Sequence, residues 1–425
     1  MTDLDAALWL LWAKTDREHK ESGRYHPLLC HMIDVAAVTQ ALWDLSFTDG
    51  LRKQFASALG LTFDETRRTL AFWAALHDLG KASPGFQRQH DPSKARLQDA
   101  GWVFPRIVGR ESSRHGVITA YTLPAILEEA GAMPKRMARA VSCAVGGHHG
   151  SWPTPREVQK LTQDTIGDGQ WVSSRLQIVS VLRELFQPAM VVFQRTDRQM
   201  NALFTLASGL TSVADWIGSM EDFFAFHESE IGLREYHQEA YGRAEHALRA
   251  LHWVGWRPPA CTATFHDLFS FEPRSMQQNV VELAPNLTQP SLVIIEAPTG
   301  SGKTEAALYL ADHWAQTLQQ RGLYVAMPTM ATSNQMYARV KTLLQRRYPG
   351  LAIKPLLLHS QARWQDDYQA HRLYANADEA ASASERVSDM SWFLARKRSL
   401  LAPLGVGTVD QSLLSVLQTR HFFVR

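Results

Sequence analysis

The chain has 425 residues, 45% of them apolar and 20% charged, with a formal net charge of +2 at pH 7. This profile excludes a disordered or fibrous chain, and the length exceeds one ordinary core, so two or three domains are expected. A balance so near neutrality gives no bulk argument for a polyanionic partner; any basic surface is local.

The N-terminus carries an apolar stretch at residues 6–13, but Asp3 and Asp5 stand where a signal peptide has basic residues. No apolar run is expected to approach the roughly 20 residues that span a bilayer. Cys30, Cys143 and Cys261 lie far apart, without the paired spacing of a disulfide framework or zinc knuckle. These features predict a cytoplasmic protein with no membrane partner.

Residues 1–228 read as a helical domain. In residues 65–77, Leu70, Phe72, Trp73 and Leu76 make an apolar stripe. In residues 175–186, Leu176, Val179, Leu182 and Phe186 recur at spacings of three and four. Trp9, Trp12, Trp73 and Trp216 sit in such apolar contexts and read as core. Residues 229–270, polar and helix-prone before Pro258-Pro259, read as a connector.

The helical half also holds His26, the pair His77-Asp78, His115, the pair His148-His149 and Asp215. Imidazoles and carboxylates together bind borderline divalent cations, and this many histidines favour Mn, Fe, Co or Ni over Mg. Two such ions in one pocket can activate water and clamp a phosphate. Spacing alone leaves each histidine the ordinary alternative of a surface or hydrogen-bonded core residue.

The local strings narrow this. Leu76-His77-Asp78-Leu79-Gly80-Lys81 resembles the signature of HD-superfamily phosphohydrolases. Together with Tyr25-His26-Pro27-Leu28-Leu29-Cys30-His31, Ser113-Arg114-His115-Gly116, Gly147-His148-His149 and Ala214-Asp215-Trp216, it resembles the nuclease domain of the CRISPR-associated HD nuclease–helicases of type I interference systems. The resemblance implies two divalent ions. His26, His77, Asp78 and Asp215 would hold one; Asp78, His115, His148 and His149 would hold the other. Asp78 would bridge them as the central catalytic group, with Lys81 neutralising the scissile phosphate. With the ligand count then full, His31 and Asp34, at helical i, i+3 spacing, read as a supporting pair.

Residues 271–425 change pattern. Strand-like runs at 292–295, 323–327 and 353–358 alternate with helical stretches at 304–319 and 333–346, which predicts a parallel α/β sheet. Residues 376–388 read as a surface insertion. Ala297-Pro298-Thr299-Gly300-Ser301-Gly302-Lys303-Thr304 follows a strand and opens a helix, the context of a phosphate-binding loop. Its glycines let backbone N–H groups approach phosphates, Lys303 reaches the β and γ phosphates, and Thr304 holds Mg²⁺.

Ala297 at the first position resembles the form in superfamily 2 helicases. Pro273-Arg274-Ser275-Met276-Gln277 resembles an adenine-reading motif, so Gln277 joins Thr299, Gly300, Ser301, Gly302, Lys303 and Thr304 as the expected ATP site. The strings 328–336 and 407–411 resemble strand-contacting motifs of such motors, which nominates Thr329, Gln335 and Thr408 as DNA contacts.

The expected fold is thus an all-α HD domain followed by part of a RecA-like lobe, ending before a Walker B motif. The family implies a monomer cleaving single-stranded DNA, recruited to an RNA-guided surveillance complex. In the longer protein it implies ATP-driven 3′-to-5′ translocation, which this fragment is expected to lack. A nucleotide phosphohydrolase and a non-catalytic docking module are the competing readings.

Overall fold

Pro27 ends a short strand and delivers the chain into its most buried helix. Strand β2 (Tyr25–Pro27) pairs antiparallel with β1 (Trp12–Thr15), and helix α1 (Leu28–Ala41) follows directly. All residues of α1 are buried, including His31 and Asp34. The computed structural model describes residues 6–16, 23–106, 114–131, 133–191, 197–227, 231–251, 253–254, 262–349, 356–358 and 401–413, in two compact units that divide after Arg249. Contrary to expectation, Leu28–Ser46 is long and apolar enough to cross a bilayer; with 89% of that stretch buried, it is the core helix of unit 1.

Around α1 the other helices of unit 1 are placed by local chemistry. Helix α2 (Phe63–Ala75) begins with a capping box between Thr62 and Glu65 and packs along α1. It tightens into a 3₁₀ turn, Leu76–Lys81, at its end. Helices α3 (His115–Gly131) and α4 (Lys135–Gly146) follow, then α5 (Gln170–Phe186) and α6 (Asp197–Gly218). Helix α6 lies against both α1 and α4.

Helix α7 (Leu233–Ala250) falls in the segment expected to connect the domains. Its side chains bond into unit 1 instead. Tyr236 donates to Asp34 (3.0 Å), Tyr241 donates to Asp44 (2.8 Å), and His237 meets Gln40 at 2.7 Å. Described residues from Ala250 onward belong to unit 2.

Unit 2 has the parallel sheet that the alternation predicts. Strands β3 (Leu323–Met327), β4 (Leu356–Leu358) and β5 (Leu404–Thr408) run in the order β3-β5-β4. Helices α9 (Lys303–Thr317) and α10 (Met330–Arg347) pack on it, with Leu308, Val340, Leu344, Leu404 and Val406 in the core, and α8 (Ser275–Leu283) packs on α9.

Residues 292–295 depart from expectation: they form no strand among the described residues. Their alternation is real, since Val293 and Ile295 pack against Val280, Ala306 and Leu310. The other face is exposed, Leu292 at 88% and Ile294 at 74%. A strand is defined by ladder partners, which period-two hydrophobicity cannot supply. The insertion read at 376–388, Cys261, and residues 353–355 and 421–425 lie outside the described residues.

Candidate metal centre

Two close backbone approaches bring the donors together. A Cβ on Gly80 would lie 2.0 Å from the His115 carbonyl oxygen, so only glycine lets the 3₁₀ turn press against the start of α3. Thr119 locks this contact: its hydroxyl accepts the Gly80 N–H (2.8 Å) and donates to the His77 carbonyl (3.0 Å). Gly116 and Gly146 do the same where α3 crosses α4, since a Cβ on either would come within 2.5 Å of the other's carbonyl oxygen. The first contact sets His77 and Asp78 beside His115. The second sets His115 beside His148 and His149.

The resulting pocket holds three groups of donors lying within 4.8 Å of one another: His31, His77 and Asp78; His77, His148 and Asp215; His115, His148 and His149. Asp78 stands between them. Its Oδ2 lies 3.3 Å from His31 Nε2 and 3.2 Å from His77 Nε2, while Oδ1 lies 3.1 Å from His115 Nε2 and 3.7 Å from His148 Nε2. Asp215 Oδ1 faces His31 at 3.3 Å and His77 at 3.5 Å. His115 and His149 meet Nε2 to Nε2 at 2.8 Å on the open side.

The hydrogen bonds present the histidines as ligands. His77 Nδ1 donates to the Ala74 carbonyl (2.9 Å) and His148 Nδ1 to the Val145 carbonyl (2.7 Å). This directs the Nε2 lone pairs inward. Nε2 of His31, His77 and His148, and Oδ1 of Asp78, are buried with no well-aligned hydrogen bond. Each such atom costs about 1–3 kcal/mol, a cost that a shared cation would relieve. The donor chemistry therefore fits divalent transition metals.

Charge supports the same fit. Burial opposes ionisation of Asp78, but His77, Lys81 and His115 hold its carboxyl well below the usual range. His31 and His77 do the same for Asp215, again against burial. Burial, then Lys14, pushes His31 down to about 4. Burial and neighbouring imidazoles lower His148 and His149. His77 differs: burial works against its charge, yet Asp78 and Asp215 carry it up to about 9.

His26 departs from expectation. Its Nε2 is 2.7 Å from Asp34 Oδ2, and its Nδ1 accepts the His227 N–H at 3.2 Å. With both ring nitrogens engaged, no lone pair remains for an ion. His31, expected to be a supporting residue, faces Asp78 and Asp215 instead. The signal was available: Pro27 puts His26 before the helix, whereas His31 is an imidazole inside a mostly apolar, wholly buried helix.

Lys81 differs as well. It is buried, its ammonium lying 2.6 Å from Asp78 Oδ2 and donating to the Ala13 carbonyl at 3.1 Å. Its charge is directed at the carboxylate rather than at open space. Sequence reasoning missed Lys14, which donates to the Gly218 carbonyl (3.0 Å). Burial lowers Lys14 to about 8, with Asp215 and Asp34 pulling the other way.

In unit 2 the loop expected to bind phosphate opens a helix as expected, though no strand precedes it among the described residues. Gly300 and Gly302 take φ of 79° and 88°, and α9 begins at Lys303. Thr299, Ser301 and Thr304 flank them. Lys303 donates to the carbonyls of Ala297 (2.5 Å) and Pro298 (3.0 Å), and Arg274 donates to Gly300 O (3.0 Å).

Gln277, expected to read adenine, uses its amide locally. It accepts the Arg274 N–H (2.9 Å) and donates to Gly302 O (3.1 Å), at 1% exposure. Of the nominated DNA contacts, Thr329 caps α10 and is exposed, and Gln335 is exposed on that helix. Thr408 is buried at the end of β5.

Comparison with known proteins matches the family described as "Cas3, HD domain" to residues 12–224, and "DEAD/DEAH box helicase" to residues 274–405. The CRISPR-associated endonuclease/helicase Cas3 of Thermus thermophilus is 35% identical over 434 residues, covering 99% of this chain and 45% of that protein. A crystal structure of T. fusca Cas3 superposes with a TM-score of 0.78 at 29% identity, covering 98% of this chain and 45% of the other. A chain of a structure titled "CRISPR RNA-guided surveillance complex, pre-nicking" gives 0.65 at 26% identity, covering 98% and 42%. The chain spans about half the length of the curated relatives it matches.

Proposed function

The chain belongs to the Cas3 HD-domain family, and from that premise we propose that unit 1 is a metal-dependent nuclease acting on single-stranded DNA. The observation that carries this reading is the convergence of three buried, unbonded imidazole Nε2 atoms on Asp78 and Asp215. His31, His77, Asp78 and Asp215 would hold one divalent ion, and Asp78, His115, His148 and His149 the other, drawn from Mn, Fe, Co or Ni. Such ions supply Lewis-acid polarisation of the phosphodiester and a water nucleophile at neutral pH.

The chain's own residues do the rest. Asp78 divides its two oxygens between the donor groups, and Lys81 limits the charge on that carboxylate. His115 and His149, at the open side, form the edge by which a strand enters. Unit 2 contributes the P-loop, Thr299 to Thr304, as a nucleotide site braced by Gln277. Thr329 and Gln335 are the accessible DNA contacts.

We carry the likeness to DEAD/DEAH helicases and to the surveillance-complex chain into the same proposal. In the longer cytoplasmic protein, the nuclease is recruited as a monomer to an RNA-guided complex and coupled to ATP-driven 3′-to-5′ movement. The nuclease domain of this proposal takes in α7 and runs to residue 249, the motor portion covers 271–425, and the segment between them is the link.

The test is cleavage of a short single strand by the full chain, stripped with chelator and titrated with Mn²⁺, Co²⁺ or Ni²⁺. Metal-restored cutting is expected. Hydrolysis of free nucleotides with none of DNA would replace the reading by a phosphohydrolase; failure to bind any of the ions would remove the metal centre.

A further inference from the structure

Beside the donor pocket lies a buried polar knot that the proposed reaction does not use. Asp34 is 0% exposed, so its carboxylate depends on protein donors. Tyr236 supplies one through its hydroxyl, 3.0 Å from Oδ1, and His26 supplies the other at 2.7 Å from Oδ2. The His26 tautomer follows from its second bond. Because Nδ1 accepts the His227 N–H (3.2 Å), the proton resides on Nε2, which donates to Asp34. Phe226 stacks on the His26 ring at 5.8 Å, and the Arg243 guanidinium sits over the Tyr236 ring at 5.1 Å.

The knot joins four segments: β2 through His26, α1 through Asp34, the stretch after α6 through Phe226 and His227, and α7 through Tyr236. One of these, α1, and the helix α6 that leads into another bear donors of the same ion. His31 precedes Asp34 by one turn of α1, and Asp215 lies in the last turn of α6. The helices meet at this point, since a Cβ on Gly218 would touch the Val35 backbone nitrogen at 3.4 Å and the Asp34 carbonyl carbon at 3.5 Å. Lys14, which pairs with His26 across β1 and β2, binds the Gly218 carbonyl from the other side.

We propose that His26, Asp34 and Tyr236 are positioning residues that set the spacing between His31 and Asp215, and so the affinity of the ion held by His31, His77, Asp78 and Asp215. The proposal rests on the metal-centre reading above. Helix α1 is buried along its whole length, so a lost donor to Asp34 is not replaced by solvent. The carboxylate is relieved only by a shift of α1, which carries His31 away from Asp215, now 3.3 Å distant. The group His115, His148 and His149 stands on α3 and the turn after α4, outside the knot, and is left as it is.

Calorimetric titration of the full chain with Mn²⁺ tests this, reading the two affinities separately. Tyr236→Phe removes only a hydroxyl and keeps the ring. It is expected to weaken one ion on the order of 10-fold and leave the other unchanged, the size typical of lost support around metal ligands. His26→Gln, whose amide still donates to Asp34, is expected to restore most of what His26→Ala loses. His149→Ala is the mirror control, weakening the other ion. Unchanged affinities in a Tyr236→Phe protein with wild-type melting would overturn the proposal, as would equal weakening of both ions. Wild-type protein that takes up no ion would instead overturn the metal-centre reading.

Discussion

The two candidate sites solve the problem of holding a ligand in opposite ways. In unit 1 His31, His77, Asp78 and His148 are buried, His77 and His148 have Nδ1 fixed to backbone carbonyls, and the inward Nε2 atoms of the three histidines are left without well-aligned partners. In unit 2 the reactive groups are satisfied within the loop: Lys303 bonds Ala297 and Pro298, Arg274 bonds Gly300, and Gln277 bonds Gly302. A ligand entering the first site adds bonds that the protein alone cannot make. A ligand entering the second must exchange bonds already made. Preorganisation by burial suits an ion, which tolerates little error in donor position, whereas an exposed loop suits a nucleotide that is bound and released.

The sharpest way to break this contrast is to remove the residue on which each site turns. Asp78→Ala should reduce single-strand cleavage by roughly 1,000-fold or more, because one carboxylate serves both donor groups. Lys303→Ala should leave cleavage of bare single strands within about twofold, since the donor pocket lies wholly in unit 1. Loss of metal-dependent cutting in Lys303→Ala would dissolve the separation between the sites.

Next in size is the exchange between His26 and His31. His31→Ala should lower cleavage about 100-fold and His26→Ala about 10-fold, the order expected for a ligand and for its support. The reverse order in a side-by-side assay would return His26 to the ion.

Thr119→Val keeps shape but strands the Gly80 N–H and the His77 carbonyl. Unfolding of unit 1 by denaturant should show a loss of about 2 kcal/mol. A variant as stable as the parent would mean that the 3₁₀ turn is held by packing alone.

The smallest effect distinguishes two roles for Gln277. As a brace on Gly302, Gln277→Ala should weaken ATP and GTP alike, about fivefold, when both are followed by a fluorescent analogue. Weakening of ATP alone would restore the glutamine as a reader of adenine.

Much of this was legible in the order of residues. The turn Leu76–Lys81 carries two donors and the glycine that admits them, and short-range geometry suffices to read it. The P-loop is legible for the same reason, as six neighbours whose conformations are set locally. The helical and α/β halves follow from hydrophobic period, which reports burial on one face.

What escaped depended on partners distant in the chain. His26 and His31 are five residues apart and chemically alike; Asp34 and His227 decide between them, the latter 201 residues from His26. Gln277 is claimed by a carbonyl 25 residues away. Residues 292–295 alternate as a strand does, but a strand also requires a neighbour. Helix α7 read as a connector because its pattern is polar, while Tyr236 and Tyr241 reach carboxylates about 200 residues back.

The sequence by itself determined which chemistries this protein carries, because donor type, glycine placement and hydrophobic period are properties of single residues and their near neighbours. Only the tertiary structure decided which imidazole faces Asp78 and Asp215 and which is bonded away from them. A lone pair can serve one partner at a time, and which partner takes it is settled by the packing of helices that meet only in the folded chain.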